Sequence, residues 1–348
     1  MRVRPWTWRH ARCHRVDAQR PSRHQRPVWI ERTGRPTMNS GDGLSRRALL
    51  AGAAAGAVTF GLPATAVAES TSAWRPGREP RVDAEFAKLE RTYERRIGVL
   101  ATNMRTGQSL EHRPDERFPI CSVFKVLLAA QVLRDLPVSV MDRRLTWSTD
   151  ELVINSPVTE QTVRNGLTVA QLAEATVTVS DNTAANVLMR EFGGPAAVTG
   201  FARSLGDRVT RVDRWEPEMS TGTPGDERDT TSARAIARTY AALVLGRALD
   251  ESARKRLRTW MLANRTAGPV FGSGVPANWT LADKTGSGWY GVRNDVGITW
   301  TPDGSPLVIA AFTRGTRYED ETLSEPLAEV AASACRRLTA AHRTRHGE

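Results

Sequence analysis

The order of helical and strand-like segments is the feature that most constrains the fold of this chain. Helical patterns fill most of residues 122–263, whereas strand-like patterns lie on both sides of that block. The strand-like segments are 97–103, a short second strand after Thr106-Gly107, 280–286, 293–301 and 307–314, and amphipathic helices at 82–95 and 324–341 enclose the whole. This order predicts an α+β fold, an antiparallel β-sheet flanked by helices into which an all-helical domain is inserted.

The predicted domain boundaries follow from that order. Residues 69–118 and 262–348 form the sheet domain, and residues 119–261 form the helical domain. The helical domain contains a long loop, 213–229, with two prolines and two glycines. Ordered loops of this length inside compact domains are usually functional. Thr168, Ser232 and Asp250 stand where helix caps are expected.

The first 68 residues do not read as part of the folded protein. Residues 1–37 lack periodicity and are interpreted as a leader that is disordered or not translated, which makes Met38 the start. Residues 38–68 read as a twin-arginine signal peptide, with Arg46-Arg47, a short apolar stretch and small residues before Glu69. A membrane anchor is the alternative, but the short apolar stretch favours export and cleavage. We expect a secreted, periplasmic or cell-envelope protein.

Charge and residue counts exclude several classes of function. Ten arginines against Asp17 and Glu31 give residues 1–37 most of the chain's net charge of +11, so a basic nucleic-acid-binding face on the folded part is not expected. Beyond the leader only Cys121 and Cys335 remain, which argues against a disulfide framework or a zinc site. His112, His342 and His346 are the remaining histidines, too few for a histidine-based triad or a three-histidine metal site.

The first of four local motifs is Ser122-Val123-Phe124-Lys125. On a helix, residues three apart share a face, so the hydroxyl and the amine lie together. A serine needs a neighbour to take its proton, and burial can make a lysine that base. Taken alone this spacing is common and mostly structural.

Two further motifs are equally weak when taken singly. Ser180-Asp181-Asn182 ends an apolar helical stretch and offers a hydroxyl for proton transfer and an amide for a carbonyl, although a plain helix end explains it as well. Lys284-Thr285-Gly286, followed by Ser287, lies on a strand. At a sheet edge such residues can bind a carboxylate and pair with a substrate backbone.

The fourth motif lies in the long loop. Glu216 is a candidate general base for a water molecule, and Arg214 and Asp229 can pair across the loop and fix it. The alternative interpretation of this segment is a solvated, charged loop without a catalytic role.

Taken together, the motifs are specific. Ser-x-x-Lys, Ser-Asp-Asn and Lys-Thr-Gly are the set shared by class A β-lactamases and penicillin-binding proteins, and a loop glutamate belongs to the former. From about residue 84 to residue 341 the sequence resembles a class A serine β-lactamase. Further matches are Ser156-Pro157-Val158-Thr159-Glu160, the run Ser180 to Asn186 and the run Pro224 to Thr231.

The resemblance implies a role for each motif residue. Ser122 is the nucleophile, activated by Lys125, by Glu216 through a water, or by both. Its backbone amide and that of Ser287 form the oxyanion hole. Ser180 protonates the leaving nitrogen, and Glu216 activates the deacylating water. The substrate contacts are made by Asn182 for the acylamino carbonyl and by Lys284, Thr285, Ser287 and Arg293 around the carboxylate, while Arg214 and Asp229 structure the loop.

Three positions depart from, or vary within, the family pattern. Ser220 stands where an asparagine commonly helps to hold the deacylating water, so altered rather than lost deacylation is expected. Asn155 replaces a frequent aromatic residue at the cleft mouth, which weakens stacking on the substrate by about 1 kcal/mol. Cys121 is expected to be a free buried thiol because Gly288, not a cysteine, follows the Lys-Thr-Gly strand.

The predicted function is therefore hydrolysis of the β-lactam amide of penicillins and cephalosporins through a serine acyl-enzyme, which confers antibiotic resistance. The partner is the small-molecule β-lactam alone. We expect no cofactor, no metal, no nucleic acid, no membrane contact after signal removal, and a monomer. The nearest alternative is a penicillin-binding D-Ala-D-Ala carboxypeptidase or transpeptidase, and a catalytically inactive binding module of the same fold is a second.

Overall fold

The computed structural model describes residues 82–340, which belong to one compact unit. The strands are β1 (Arg96–Asn103), β2 (Ser109–His112), β3 (Arg117–Pro119), β4 (Arg144–Leu145), β5 (Leu167–Thr168), β6 (Thr230–Ser232), β7 (Thr280–Ser287), β8 (Arg293–Trp300) and β9 (Pro306–Arg314). The helices are α1 (Ala84–Tyr93), α2 (Phe124–Asp135), α3 (Thr159–Thr162), α4 (Val169–Thr178), α5 (Asn182–Glu191), α6 (Gly194–Ser204), α7 (Ala233–Val244), α8 (Glu251–Leu262), α9 (Phe271–Gly274) and α10 (Glu325–Thr339).

Five strands form one antiparallel sheet in the order β2-β1-β9-β8-β7. All five were expected from the alternating patterns, and the Asp303-Gly304 turn joins β8 to β9 as predicted. The strand β7 lies at the edge and pairs with β8, so that Thr285 faces Asp295 and Ser287 faces Arg293. An edge strand leaves one row of backbone groups available to a ligand.

The segment between β3 and β7 is mainly helical, and its central helix is α2. A helix that is apolar on every side belongs in a core, and the first seven residues of α2, Phe124 to Ala130, are all buried. The helices α4, α5, α6 and α8 pack around it, and α7 covers one face of the sheet. The predicted caps are confirmed, because Thr168, Ser232 and Asp250 each accept a backbone N–H in the first turn of their helix.

A second apolar core lies on the other face of the sheet, beneath α1 and α10. It includes Phe86 from α1, Val99 from β1 and Leu327 from α10, all fully buried. Both helices were expected, with ends one or two residues longer than observed. This α+β arrangement of an antiparallel sheet with helices confirms the predicted fold class, whereas the exact domain boundaries stay a prediction.

The sequence patterns missed the short elements. The three-residue strands β3 and β6 pair across more than one hundred residues, with Phe118 opposite Thr231, and neither shows a period long enough to recognise. The helix predicted to begin at Ser122 begins two residues later in the structure. A short 3₁₀ turn spans Cys121–Val123, and the α-helix begins at Phe124.

The leader and signal-peptide predictions concern residues outside those that the structure describes. Within residues 82–340, no helix is both long enough and apolar enough to cross a bilayer.

Candidate active site

Ser122 lies in the 3₁₀ turn that leads into α2, and Lys125 lies in the first turn of that helix. The side chain of Lys125 is fully buried. Its Nζ donates to the carbonyl oxygen of Ser180 at 2.8 Å and lies 3.3 Å from the Ser180 hydroxyl. Burial lowers the pKa of Lys125, which makes the amine a better proton acceptor near neutral pH. The structure therefore places the Lys125 amine against Ser180, one turn along the chain from Ser122.

The Ser180-Asp181-Asn182 segment joins α4 to α5. Ser180 has a left-handed backbone with φ of +61°, which is rare for a residue with a side chain and is held by its surroundings. Asn182 begins α5, and its Oδ1 accepts from Lys125 Nζ at 2.5 Å while its Nδ2 donates to the carbonyl of Ile154. The segment is thus a built turn with side chains directed at Lys125, and it is more than a helix end.

The Asp181 side chain fixes this turn through hydrogen bonds to its surroundings. Its carboxylate is fully buried and caps α5 by accepting from the backbone N–H of Ala184. The same carboxylate accepts from the N–H groups of Val158 and Thr159 and from the Thr159 hydroxyl. A carboxylate with this many donors fixes two loops relative to one helix. This role of Asp181 was not predicted from the sequence.

Glu216 is buried, with only 2% of its surface exposed, so its loop is not the solvated charged loop of the alternative interpretation. Its Oε1 lies 3.2 Å from Lys125 Nζ, and its Oε2 accepts from the Ser220 hydroxyl at 3.2 Å. Asn186 brackets the Glu216 backbone by donating to its carbonyl and accepting from its N–H. Asn186 was missed as a functional residue, although its position four residues after Asn182 places both on one face of α5.

The two ends of the loop are joined by Arg214 and Asp229. Arg214 Nε donates to Asp229 Oδ2 at 2.6 Å, which confirms the predicted pair. The buried Asp229 carboxylate also accepts from the backbone N–H groups of Asp213 and Arg214. Three donors to one buried carboxylate close the loop at its base and hold Glu216 against α2 and α5.

The edge strand β7 and its neighbour β8 contribute basic side chains to a second side of the site. Lys284 is fully buried, and its Nζ donates to the carbonyl of Thr285 at 2.9 Å. Burial lowers the pKa of Lys284 to about 7, and repulsion by Lys125 acts in the same direction. Arg293, across the ladder on β8, donates to the Ser287 hydroxyl at 2.5 Å. Two cations and two hydroxyls therefore meet at the end of β7, as the resemblance implied.

Two glycines bring β7 against the turn that carries Ser122. A Cβ added to Gly286 would lie 3.2 Å from Cys121 Cβ, and one added to Gly288 would lie 3.0 Å from Cys121 Sγ and 2.4 Å from the carbonyl oxygen of Ser220. Ser287 is thus enclosed between two backbone positions that touch the residue before Ser122. This close approach brings the strand that carries Ser287 against the turn that carries Ser122.

The comparisons with known proteins agree with this geometry. The sequence model of the β-lactamase enzyme family matches residues 81–338. A β-lactamase of Streptomyces fradiae is 48% identical over 303 residues, which cover 85% of this chain and 96% of that protein. The solved β-lactamase of Streptomyces albus G is 47% identical, with a TM-score of 0.72 over 73% of this chain and 98% of that one. An ancestral class A β-lactamase is 44% identical with a TM-score of 0.69 and covers 72% and 98% of the two chains.

This chain belongs to the β-lactamase enzyme family. It is similar to class A members over the whole part that carries the four motifs, and it is a hydrolase of β-lactams, an activity that confers resistance to these antibiotics. In this β-lactamase Lys125 contacts the predicted residues Ser180, Asn182 and Glu216, and Ser122 lies in the turn that leads into the same helix.

The three departures from the family pattern have distinct structural outcomes in this β-lactamase. Ser220 bonds Glu216 directly, as described above. Asn155 is exposed at the edge of the Ser180 turn, where its Nδ2 donates to the Ser180 carbonyl, so a polar bond replaces an aromatic face. Cys121 is a free, fully buried thiol, as expected.

Among the residues that the structure describes, no group of three or more His, Cys, Asp or Glu side chains is arranged to hold a metal ion.

Proposed function

We propose that this β-lactamase hydrolyses penicillins and cephalosporins through an acyl-enzyme on Ser122. The observation that carries the proposal is the buried contact of Lys125 Nζ with Glu216 at 3.2 Å and with the Ser180 hydroxyl at 3.3 Å. A proton acceptor, a proton donor to a leaving nitrogen and a second base are thereby held within one hydrogen-bonded cluster beside the serine.

In acylation, the Ser122 oxygen attacks the lactam carbonyl carbon, and its proton passes to Lys125 directly or to Glu216 through a water. The developing oxyanion lies between the backbone amides of Ser122 and Ser287. The carbon–nitrogen bond then breaks, and the Ser180 hydroxyl delivers a proton to the nitrogen. Lys125 then gives a proton back to Ser180, which lies within hydrogen-bonding distance. On the route through Glu216, Lys125 recovers this proton from Glu216 across their 3.2 Å contact, so Glu216 is again a carboxylate.

In deacylation, Glu216 removes a proton from a water that attacks the ester carbonyl. The bond from the carbonyl carbon to the Ser122 oxygen breaks, and that oxygen receives the proton that Glu216 took from the water, directly or through Lys125. The Ser220 hydroxyl is positioned to hold the same water, because it already bonds the Glu216 carboxylate. A buried glutamate at this place is the feature that supports a hydrolase over a penicillin-binding transpeptidase.

Substrate binding in this proposal uses the carboxylate that penicillins and cephalosporins share. Lys284, Thr285 and Arg293 line the end of β7, and Asn182 binds the acylamino carbonyl. Lys284 and Arg293 attract the anion, and the Thr285 hydroxyl supplies a directional hydrogen bond.

The proposal extends to the location and assembly of the protein. The twin-arginine pattern at Arg46-Arg47 and the small residues before Glu69 support export and cleavage. We infer that the exported protein acts as a monomer in the medium, the periplasm or the cell envelope.

The test is turnover of a chromogenic cephalosporin and of benzylpenicillin by the purified protein, followed by intact mass analysis during the reaction. Sustained hydrolysis with a transient adduct that is absent from Ser122→Ala is the expected result. A stable adduct without turnover on several β-lactams would identify a penicillin-binding protein instead. An adduct that persists in Ser122→Ala would contradict the assignment of the nucleophile.

A further inference from the structure

A hydrogen-bonded chain leads from the substrate-facing hydroxyl of Thr285 into the protein. Thr285 Oγ1 lies 2.5 Å from Thr266 Oγ1, and Thr266 belongs to the loop between α8 and α9. Thr266 donates its hydroxyl to Asn264 Oδ1 at 2.8 Å, and its backbone N–H donates to the same oxygen at 3.0 Å. Asn264 Nδ2 then donates to Asp283 Oδ1 at 3.1 Å.

The amide of Asn264 is held in one orientation from both ends. Its oxygen accepts from a backbone N–H, which cannot reverse its direction, and its nitrogen faces a carboxylate oxygen of Asp283. Asp283 is itself buried beside Asp295, with Asp283 Oδ2 and Asp295 Oδ1 receiving no hydrogen bond from any other described group. Burial raises the pKa of both carboxyls, and Asp283 Oδ1 is the acceptor of the bond from Asn264 Nδ2.

The two threonine hydroxyls in this series of hydrogen bonds do not carry enough hydrogens for all of their contacts. A threonine hydroxyl carries a single hydrogen. Thr266 uses its hydrogen toward Asn264, so the hydrogen in the 2.5 Å contact between the two threonines comes from Thr285. Thr285 then has none for a bound carboxylate, which accepts hydrogen bonds only. Three contacts, from Asn264 to Thr266, from Thr266 to Thr285 and from Thr285 to a carboxylate, share two hydroxyl hydrogens.

We propose that Thr266 weakens the binding of the substrate carboxylate by this enzyme, because it competes with that carboxylate for the hydroxyl hydrogen of Thr285. When the substrate carboxylate binds, the Thr285 O–H points to it and no longer to Thr266. Thr266 then either donates its own hydrogen to Thr285 and loses its bond to Asn264, or keeps that bond and has no hydrogen bond with Thr285. Asn264 and Asp283 are the positioning residues that fix the resting direction. This inference rests on the proposed role of Thr285 in carboxylate binding.

The experiment compares Thr266→Val with Thr266→Ser. Valine keeps the shape of threonine and removes the competing hydroxyl, whereas serine keeps the hydroxyl and is the matched control. The dissociation constant for intact benzylpenicillin is measured in the Ser122→Ala background, where no acylation intervenes. We expect Thr266→Val to bind about fivefold more tightly than the parent, the factor that one neutral hydrogen bond contributes. Thr266→Ser is expected to stay within about twofold of the parent.

A double-mutant cycle identifies the partner of Thr266. In a Thr285→Val background the gain from Thr266→Val should vanish, because no hydroxyl hydrogen is left to contest. Unchanged or weaker binding in Thr266→Val, or a gain that persists without the Thr285 hydroxyl, would overturn the inference. A residue with a merely structural role would lower the melting temperature and would not tighten binding.

Turnover by the wild-type enzyme separates this inference from the proposed function. Failure of the wild type to hydrolyse any β-lactam would contradict the proposed function. Normal wild-type turnover, together with a dissociation constant that Thr266→Val does not improve, would contradict the role of Thr266 alone.

Discussion

At the scale of single residues, the active site is organised by burial of charge. Lys125 and Glu216 are both removed from solvent, and their 3.2 Å contact offsets part of the cost of burying each. Lys284 is equally buried, and burial together with repulsion by Lys125 lowers the pKa of its amine to about 7. The same environment therefore sets both the chemistry and the pH range of the enzyme.

The first prediction concerns Glu216. In Glu216→Gln the amide cannot take a proton from water, so the acyl-enzyme should accumulate and kcat should fall by about 100-fold or more. Rapid-quench mass analysis with benzylpenicillin measures the adduct. The matched control is Glu218→Gln, which removes an exposed carboxylate from the same loop. Normal turnover by Glu216→Gln would remove this glutamate from the deacylation step.

The second prediction concerns the pH dependence that Lys284 confers. With a pKa of about 7, Lys284 is protonated below that pH and neutral above it. Attraction of the substrate carboxylate is thus present at acidic pH and is lost as the pH rises through neutrality. The dissociation constant of benzylpenicillin, measured in Ser122→Ala, should increase between about pH 6 and pH 8.5. In Lys284→Arg, whose guanidinium stays charged, the constant should be flat over this range.

At the scale of elements, the loop 213–229 depends on a few buried bonds and lacks regular structure over most of its length. Its single short helix is a 3₁₀ turn, Glu218–Ser220. The Asp229 carboxylate receives two backbone N–H groups and the Arg214 guanidinium, and Asn186 of α5 holds the backbone of Glu216. The position of the general base is therefore set at two points that are far apart in sequence.

The third prediction follows from that closure. Asp229→Ala leaves the Arg214 guanidinium and two backbone N–H groups without their acceptor, which should lower the free energy of unfolding by about 3 kcal/mol. Urea denaturation measures the change. The control, Arg228→Ala, breaks a pair with Asp226 in which the Arg228 side chain is 56% exposed, and should lower the free energy of unfolding far less than Asp229→Ala does. Equal losses in the two variants would show that the loop is not closed by Asp229.

How far the elements followed from sequence depended on their length. The strands of the main sheet and the long helices carry clear periods, and the caps Thr168, Ser232 and Asp250 were recognisable from residue type. Contacts that join distant segments, such as β3 with β6, have no local signature. Asn264 and Thr266 were missed for the same reason, because their importance arises only where the α8–α9 loop meets β7.

The motifs predicted which residues belong to the candidate site, but they did not predict which of those residues are in contact. The four motifs singled out residues that the fold brings together, yet each was weak alone, because spacing in sequence cannot show that Lys125 meets Glu216. That contact requires α2 to lie beside the loop 213–229, a property of the packed chain. The roles of the individual residues remain to be measured.

At the scale of the whole molecule, the site lies where three parts of the chain converge. The turn before α2, the loop 213–229 and the edge strand β7 each contribute, and the two apolar cores hold the parts that carry them. Activity therefore requires most of residues 82–340 to be folded.

The fourth prediction belongs at this scale. The exported protein should begin near Glu69, as read by N-terminal sequencing of the protein recovered outside the cytoplasm. Replacing Arg46 and Arg47 together by lysine should retain the protein inside the cell, while a Ser45→Ala control should still be exported. An exported protein that retains residues 1–37 would contradict the interpretation of the leader.

The contact at Gly288 has a consequence for how this enzyme can evolve. Any side chain at this position would meet the Ser220 carbonyl and the Cys121 sulfur at once. A mutation there that reshapes the cleft for bulkier antibiotics must also displace the segment that holds Glu216. We therefore expect a side chain at position 288 to shift Ser220, whose hydroxyl bonds Glu216. Adaptation through Gly288 should need a compensating second mutation in the 216–220 segment.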